Sequence, residues 1–371
     1  MSPDAPFRTL IVGGGPAAIE AVLALREIAP GMQVTVLAPD ATFKYKPLST
    51  VAPFAHGEVR EYPLGRLADL GVTLHRDALL RVDTEARTVR TERGEDLPYD
   101  ALLVAAGAQH RRAIPRVMTF EGPGYVDAMH GLIQDVEDGY TRSVAFVAPA
   151  GVPWTLPLYE LALQTAKVAH ASGLVVQLTV VSAEQRPLEA MGREGSELVA
   201  RLLAAAGVDW EHGSTPPKAD RTIALPVPSG ATLAGLPATA DGFLPVDDHG
   251  RVQGVQRVWA AGDGTDHPIK HGGLATQQAE AAARSIAASA GLPVDPHPYV
   301  PELRAMLFTG DGAYFMRRTG GAVGVTEISQ IPLWDPPTKI AGRRLGPFLD
   351  ELDASTSRTN RFERRLTGLK P

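Results

Sequence analysis

Thr9-Leu10-Ile11-Val12-Gly13-Gly14-Gly15-Pro16-Ala17-Ala18-Ile19-Glu20 is an apolar run of buried-strand type that breaks into three glycines and resumes with helical spacing. It reads as a phosphate cradle. Gly13 suits the tight turn out of the strand, Gly15 lets backbone N–H groups approach a pyrophosphate, and small Ala18 lets the new helix pack closely on the sheet. The positive end of the helix dipole then faces the phosphates. A G-x-G-x-x-A run alone also serves as a plain loop. Here the strand before it and the apolar positions Ile19, Val22, Leu23 and Leu25 after it favour the cradle.

Composition narrows the class. The 371 residues provide material for two or three domains. Against 42 acidic residues stand 36 basic ones, and the net charge of -6 argues against a general nucleic-acid binder. There is no Cys. That excludes a structural disulfide, a zinc–thiolate site, an iron–sulfur cluster and a redox dithiol built from this chain. No metal is expected. The N-terminal residues lack the pattern of a secretory signal, and no uninterrupted apolar window of about 18 residues is present. The expected compartment is the cytoplasm, with peripheral attachment at the inner face of a membrane left open because it needs only one amphipathic face.

After the cradle, Gln33–Leu37 completes a βαβ unit. An acid at the end of such a strand usually holds a ribose hydroxyl. Asp40 stands there, two residues late, and either does this or starts a turn. The loop Phe43-Lys44-Tyr45-Lys46-Pro47-Leu48-Ser49-Thr50 places two cations and two aromatics beside a rigid Pro. Its cations either neutralise a bound anion or sit in solvent. A hairpin-like pair, Leu79 to Asp83 and Arg87 to Arg90, precedes a buried strand that ends in Val104-Ala105-Ala106-Gly107-Ala108. Small residues at a strand end let something large lie against the backbone.

Residues 116–245 read as a second α/β unit, with strands at Ser143–Val147 and Leu174–Val181 and helices at Leu156–Ala169 and Ser196–Ala206. Its turn, Ala148-Pro149-Ala150-Gly151-Val152-Pro153-Trp154-Thr155-Leu156-Pro157, is a poor phosphate cradle. Proline lacks the N–H a phosphate needs, and Trp fills space. Then Val258 to Thr265 gives a strand ending in Gly262-Asp263, and Lys270-His271-Gly272-Gly273-Leu274 opens an alanine-rich helix running to about Ala290. Beyond Pro301 come a hairpin-like pair, Ala313–Arg318 and Gly324–Ile331, and the run Trp334-Asp335-Pro336-Pro337-Thr338-Lys339-Ile340. From Arg343 to Pro371, seven basic and four acidic residues give +7 − 4 = +3. Such a tail is either a solvated segment or a contact for a protein partner or an anionic lipid.

The spaced elements Gly13 to Ala18, Tyr99-Asp100 through Gly107, and Ala260-Ala261-Gly262-Asp263 resemble the pyridine nucleotide-disulfide reductase superfamily over roughly residues 7–290. Within it, Phe43 to Leu48, Lys270 to Gly273 and the Trp-Asp-Pro-Pro-Thr-Lys-Ile run look most like the sulfide:quinone reductase and flavocytochrome c sulfide dehydrogenase branch. Type II NADH dehydrogenases are the next neighbour. The resemblance implies an α/β, glutathione-reductase-like fold: two Rossmann-like dinucleotide-binding domains and a short C-terminal segment. Residues 1–115 and 246–300 would form the FAD-binding domain, 116–245 the second, NAD(P)-like domain with a degenerate phosphate loop, and 301–371 an interface segment with a basic tail.

FAD is the implied cofactor. Gly13, Gly15, Pro16, Ala17 and Ala18 would hold its pyrophosphate, Asp40 a ribose, and Leu79 the adenine through its backbone. Ala106 and Gly107 would pass close to it, and Gly262 and Asp263 would meet the ribityl chain. Gly273 and Leu274 would bring a helix N-terminus to the flavin, with Lys46 and Lys339 adding positive charge. The missing cysteines remove the thiol relay of the disulfide reductases and of sulfide oxidation. The expected activity is therefore electron exchange between the flavin and a small molecule or quinone directly. The alternatives are an NAD(P)H dehydrogenase with a degenerate nicotinamide site and a non-catalytic flavin-binding partner or sensor. His271 and Lys270 are candidate proton donors, and Trp154, Phe315 and Met306 candidate pocket walls. Glu160, where type II NADH dehydrogenases have a nicotinamide-side acid, reads by itself as a helix residue.

Overall fold

Alternating strands and helices in the N-terminal part build a five-stranded sheet ordered Val258–Ala260, Ala101–Val104, Arg8–Val12, Gln33–Leu37, Thr73–His75. Every neighbouring pair is parallel. The central strand has no polar face because both sides are covered: Leu10, Ile11 and Val12 are all buried. The computed structural model describes residues 6–54, 59–320 and 324–355.

Helix α1, Pro16–Ile28, follows the glycine turn and packs on α5, Gly272–Ser289. Buried alanines on both sides, among them Ala18, Ala21 and Ala24 on α1 and Ala275, Ala279 and Ala282 on α5, let the two backbones approach closely. This juxtaposition brings the Gly262-Asp263 turn, remote in sequence, beside the first cradle. A Cβ on Gly262 would lie 3.4 Å from Ala17 Cβ and 3.3 Å from Ala275 Cβ.

A second parallel sheet runs Met118–Thr119, Arg221–Ala224, Ser143–Ala148, Gln177–Ser182, Val208–His212. Helices α2 (Val126–Glu137), α3 (Leu156–Ala171) and α4 (Gly192–Ala205) accompany it. The expected strand from Leu174 begins instead at Gln177, because Leu174 closes the preceding helix: its N–H donates to Ala169 O at 3.0 Å after Gly173 turns at φ +69°. The helix expected from Ser196 starts earlier, at Gly192.

The C-terminal hairpin is larger than its sequence implied. Leu303–Phe308 joins Ala313–Arg318 and Thr326–Ser329 in a three-stranded antiparallel sheet. From it the chain runs through Trp334 and Lys339 to α6, Leu345–Ser355. Glu20 of α1, almost fully buried, accepts the N–H groups of Arg344 (2.9 Å) and Leu345 (2.8 Å) at the start of α6. Arg344 itself pairs with Glu27 at 2.7 Å and with Glu280. At the other end of α6, Asp353 accepts from Arg60 at 2.8 Å and Tyr62 at 3.2 Å. Arg344, counted in the basic tail, is thus consumed internally, and residues 356–371 of that tail lie outside the described residues. Among the described residues no helix is long and apolar enough to cross a membrane.

Candidate active site

The first turn is shaped by its backbone. Gly13 has φ +125°, and a Cβ there would sit 2.2 Å from Ala105 O, so only glycine fits. A Cβ on Gly14 would meet Leu64 Cδ1 at 2.6 Å, whereas one on Gly15 would meet nothing within 4 Å. Gly15 caps α1 without a side-chain hydrogen bond, and Pro16 takes the first turn, where its missing N–H costs nothing. The first-turn N–H groups of Ala17 and Ala18 therefore have no partner within the helix.

The glycine turn and Ala17 border a groove of about 530 Å³. Val12, Gly13, Gly15, Pro16 and Ala17 line it, as do Asp40, Ala78 and Leu79. Ala106, Gly107, Gly262, Asp263, Gly272 and Lys46 complete it. Ala18 is buried behind the turn, as close helix packing requires. Two expectations shift. Leu274 buries its side chain in the core of the second sheet, and Gly273 gives its N–H to His271 Nδ1 at 3.2 Å. Neither lines the groove; Gly272 and Ala275 of the same helix do.

A second, mainly apolar cavity of about 240 Å³ adjoins the groove. Both cavities are lined by Lys46, Pro47, His110, Asp263, Gly272 and Ile340, so the two spaces lie side by side across these residues. Its wall includes Trp154, Leu156 and Met306. Phe315 does not belong to it: the ring is fully buried against Trp334, centroids 5.2 Å apart.

Charges around this cavity are arranged by burial. Glu160 is fully buried, and both its oxygens lie 2.6 Å from Lys339 Nζ. Thr50 Oγ1 (2.8 Å) and the N–H of Phe308 (3.0 Å) also donate to it. Lys339, expected to lend its charge to a cofactor, is spent on Glu160. Glu160, which read as an ordinary helix residue, anchors this buried ion pair. Asp263 is raised above the ordinary carboxyl range by burial, against the pull of Lys270, Lys46 and the N–H of His271.

Lys270 donates to Thr265 O at 2.5 Å and His267 O at 2.9 Å, with Nζ 3.6 Å from the centre of the Phe243 ring. Burial lowers its pKa to about 8, while Asp263 and Asp266 oppose the shift. His271 caps α5, stands edge-on to Trp154 with centroids 4.8 Å apart, and lines the cavity. Burial, helped by the Lys339 charge, pushes its pKa down to about 4, so it stays neutral near pH 7. Of the two candidate proton donors, Lys270 alone titrates near the working range.

The second turn is built differently. Gly151 turns at φ +88°, and a Cβ there would meet Val227 Cγ1 at 3.3 Å. Val152, Pro153, Trp154 and Pro157 are part of the apolar cavity's wall. Glu184, just past the strand Gln177–Ser182, accepts from Thr155 Oγ1 at 2.9 Å and Tyr159 OH at 2.6 Å. The carboxylate at the topological position of a ribose-binding acid is therefore committed within the protein.

The profile described as pyridine nucleotide-disulphide oxidoreductase matches residues 7–224. Among solved structures, the chain is similar to the sulfide:quinone oxidoreductase of the hyperthermophilic bacterium Aquifex aeolicus: TM-score 0.78, 18% identity, 95% of this chain and 91% of that one. It is also similar to the ferredoxin reductase for the CYP199A2 system of Rhodopseudomonas palustris, with TM-score 0.63, 19% identity, and 84% and 82% of the two chains covered. A third is the covalent putidaredoxin reductase–putidaredoxin complex, with TM-score 0.63, 17% identity, and 86% and 82% covered. No curated protein sequence matches the chain. The structural likenesses establish the fold, and the profile, which spans more than half of the 371 residues, establishes that the chain belongs to the pyridine nucleotide-disulphide oxidoreductase family and is an oxidoreductase.

Proposed function

We propose that the chain is an FAD enzyme that exchanges electrons directly between its flavin and a small organic or quinone-type substrate, without a thiol relay and without NAD(P)H. The observation that carries this reading is the adjacency of the two cavities, which share Lys46, His110, Asp263 and Ile340. A groove lined by a glycine cradle suits a dinucleotide, and an apolar cavity beside it suits the molecule it reacts with. On this reading residues 1–115 and 246–300 form the cofactor-binding unit, and 116–245 supply the cavity's outer wall.

When bound, FAD supplies reversible two-electron chemistry at its ring system. The chain's residues do the rest. Gly13 to Ala18 would hold the pyrophosphate, Asp40 a ribose, and Asp263 the ribityl chain. Trp154, Leu156 and Met306 would exclude water. Lys270 has two of its three N–H donors fixed on carbonyls, and its lowered pKa suits it to pass a proton toward the cavity. The second turn offers prolines where a phosphate would need N–H donors, and it carries no cofactor.

The test is anaerobic reduction of the purified protein's flavin by a donor panel of a naphthoquinol, NADH, NADPH and sulfide, after quantifying FAD released by denaturation. Stoichiometric FAD, bleached by the quinol and untouched by the other three, is the expected outcome. Rapid bleaching by sulfide overturns the argument from the missing cysteines.

A further inference from the structure

We propose that His271 is the recognition residue of the apolar cavity, a neutral imidazole locked in one tautomer whose Nε2–H donates to an acceptor oxygen of the occupant. The cavity would then select molecules that present a carbonyl-type oxygen and reject those that offer only N–H donors or no polar atom. The inference rests on reading this cavity as the substrate site.

The geometry sets the tautomer. Nδ1 lies 3.2 Å from the N–H of Gly273, and an imidazole nitrogen that accepts a hydrogen bond carries no proton. The one proton of the neutral ring is then on Nε2. A protonated ring would turn a second donor toward the Gly273 N–H and break the cap of α5. The ring cannot easily turn away, because it is held edge-on by Trp154 and is seated on glycine: a Cβ at position 273 would be 3.0 Å from His271 Cε1.

Among the described residues the His271 ring makes no other hydrogen bond, and it lines the cavity. Burial above all keeps it neutral, and the Lys339 charge from the C-terminal segment adds to this. Lys270, Lys46 and His110 also line the space. Of the carboxylates lining it, Glu160 on α3 is taken by Lys339 and Thr50, Glu121 accepts from Arg112 at 3.1 Å, and Asp263 draws on the backbone N–H of His271 rather than its ring. The depressed pKa of His271 agrees with this environment. Pro153, Leu156, Pro226 and Met306 in the wall have no side-chain donor; His110 and the Trp154 indole also line it, and the His271 donor is the one whose direction the helix cap fixes.

The tautomer is read directly by two-bond proton–nitrogen correlation NMR on the flavin-loaded protein carrying nitrogen-15 histidine, with the His271 signal identified by its loss in His271→Asn and His271→Ser. The expected pattern is that of Nε2–H, unchanged from about pH 8 down to about pH 6. Recognition is read by equilibrium dialysis of 1,4-naphthoquinone and of naphthalene, which has the same rings without the oxygens. The serine hydroxyl in His271→Ser keeps a cap for the Gly273 N–H but removes the imidazole donor. This variant is expected to weaken naphthoquinone binding about tenfold and leave naphthalene unchanged. A ring protonated on Nδ1, a titration within that pH range, or equal weakening of both probes overturns the assignment while leaving the cavity as a binding site. Failure of wild type to bind either probe overturns both the assignment and the substrate-site reading.

Discussion

The two parallel sheets present the same local design, a strand, a turn and a helix, and use it in opposite ways. After Arg8–Val12 the turn is three glycines and the backbone faces the groove. After Ser143–Ala148 the turn carries Pro149, Pro153 and Pro157 with Trp154, and its side chains become a wall. The acids that follow the neighbouring strands diverge likewise: Asp40 is exposed at the groove, and Glu184 is bound by Thr155 and Tyr159. One feature is shared. Each helix carries a buried glutamate at its fifth position, Glu20 on α1 and Glu160 on α3, and both hold the C-terminal segment, through Arg344 and Leu345 in one case and Lys339 in the other. What differs between the copies is what the turn presents to the adjoining space, glycine backbone in one and proline and tryptophan side chains in the other.

Substitutions in matched pairs sharpen this contrast. The largest effect is expected at the glutamate positions. Lys339→Met leaves Glu160 buried without its cation, for a loss of about 3–5 kcal/mol in stability by denaturant unfolding, whereas Glu20→Gln keeps one of the two acceptors that hold the start of α6 and costs about 1–3 kcal/mol. Next come the turns. Gly13→Ala forces a side chain into Ala105 O at φ +125°, so a loss of about 2–4 kcal/mol and of bound FAD is expected, measured by Tm and by flavin absorbance. Gly151→Ala should cost about 1 kcal/mol and leave FAD content unchanged. Equal FAD loss in the two variants would erase the distinction. Smaller again is the effect at the acids. Asp40→Ala should weaken FAD a few-fold with unchanged Tm, and Glu184→Ala should lower Tm by the equivalent of about 1–2 kcal/mol without touching FAD affinity.

A pH profile isolates Lys270. Its proton is lost in the folded protein above about pH 8, so the rate of proton-coupled substrate reduction should fall there, and Lys270→Met should remove that limb. The sign for stability is opposite. The folded protein sheds this proton before the unfolded chain does, so between about pH 8 and the ordinary 10.5 the unfolded state binds more protons and Lys270 makes stability rise with pH.

The glycine turn after Arg8–Val12, the Gly262-Asp263 turn and the proline-rich turn were legible because each is a local pattern of adjacent residues. The Glu160–Lys339 pair was not, since its partners are 179 residues apart, and alone Glu160 reads as a helix residue and Lys339 as a charge for the flavin. The strand Leu303–Phe308 did leave a signal, the apolar run Ala305 to Phe308, but only pairing with Ala313–Arg318 gives it meaning. Gly273 and Leu274 were placed one residue off the groove because the helix rotation that presents Gly272 and Ala275 is set by packing on α1. Phe315 was misplaced for the same kind of reason: a strand's two faces look alike until the neighbouring sheet is known.

The most direct test of the central claim, that the first turn is the chain's one dinucleotide site, is anaerobic titration of the FAD-loaded protein with NADPH and NADH, followed by absorbance and by calorimetry. No bleaching and no binding heat are expected from either nucleotide, with full bleaching by dithionite in the same sample. Stoichiometric bleaching or saturable binding of either nucleotide would show that the proline-rich turn still holds a cofactor, and would contradict it.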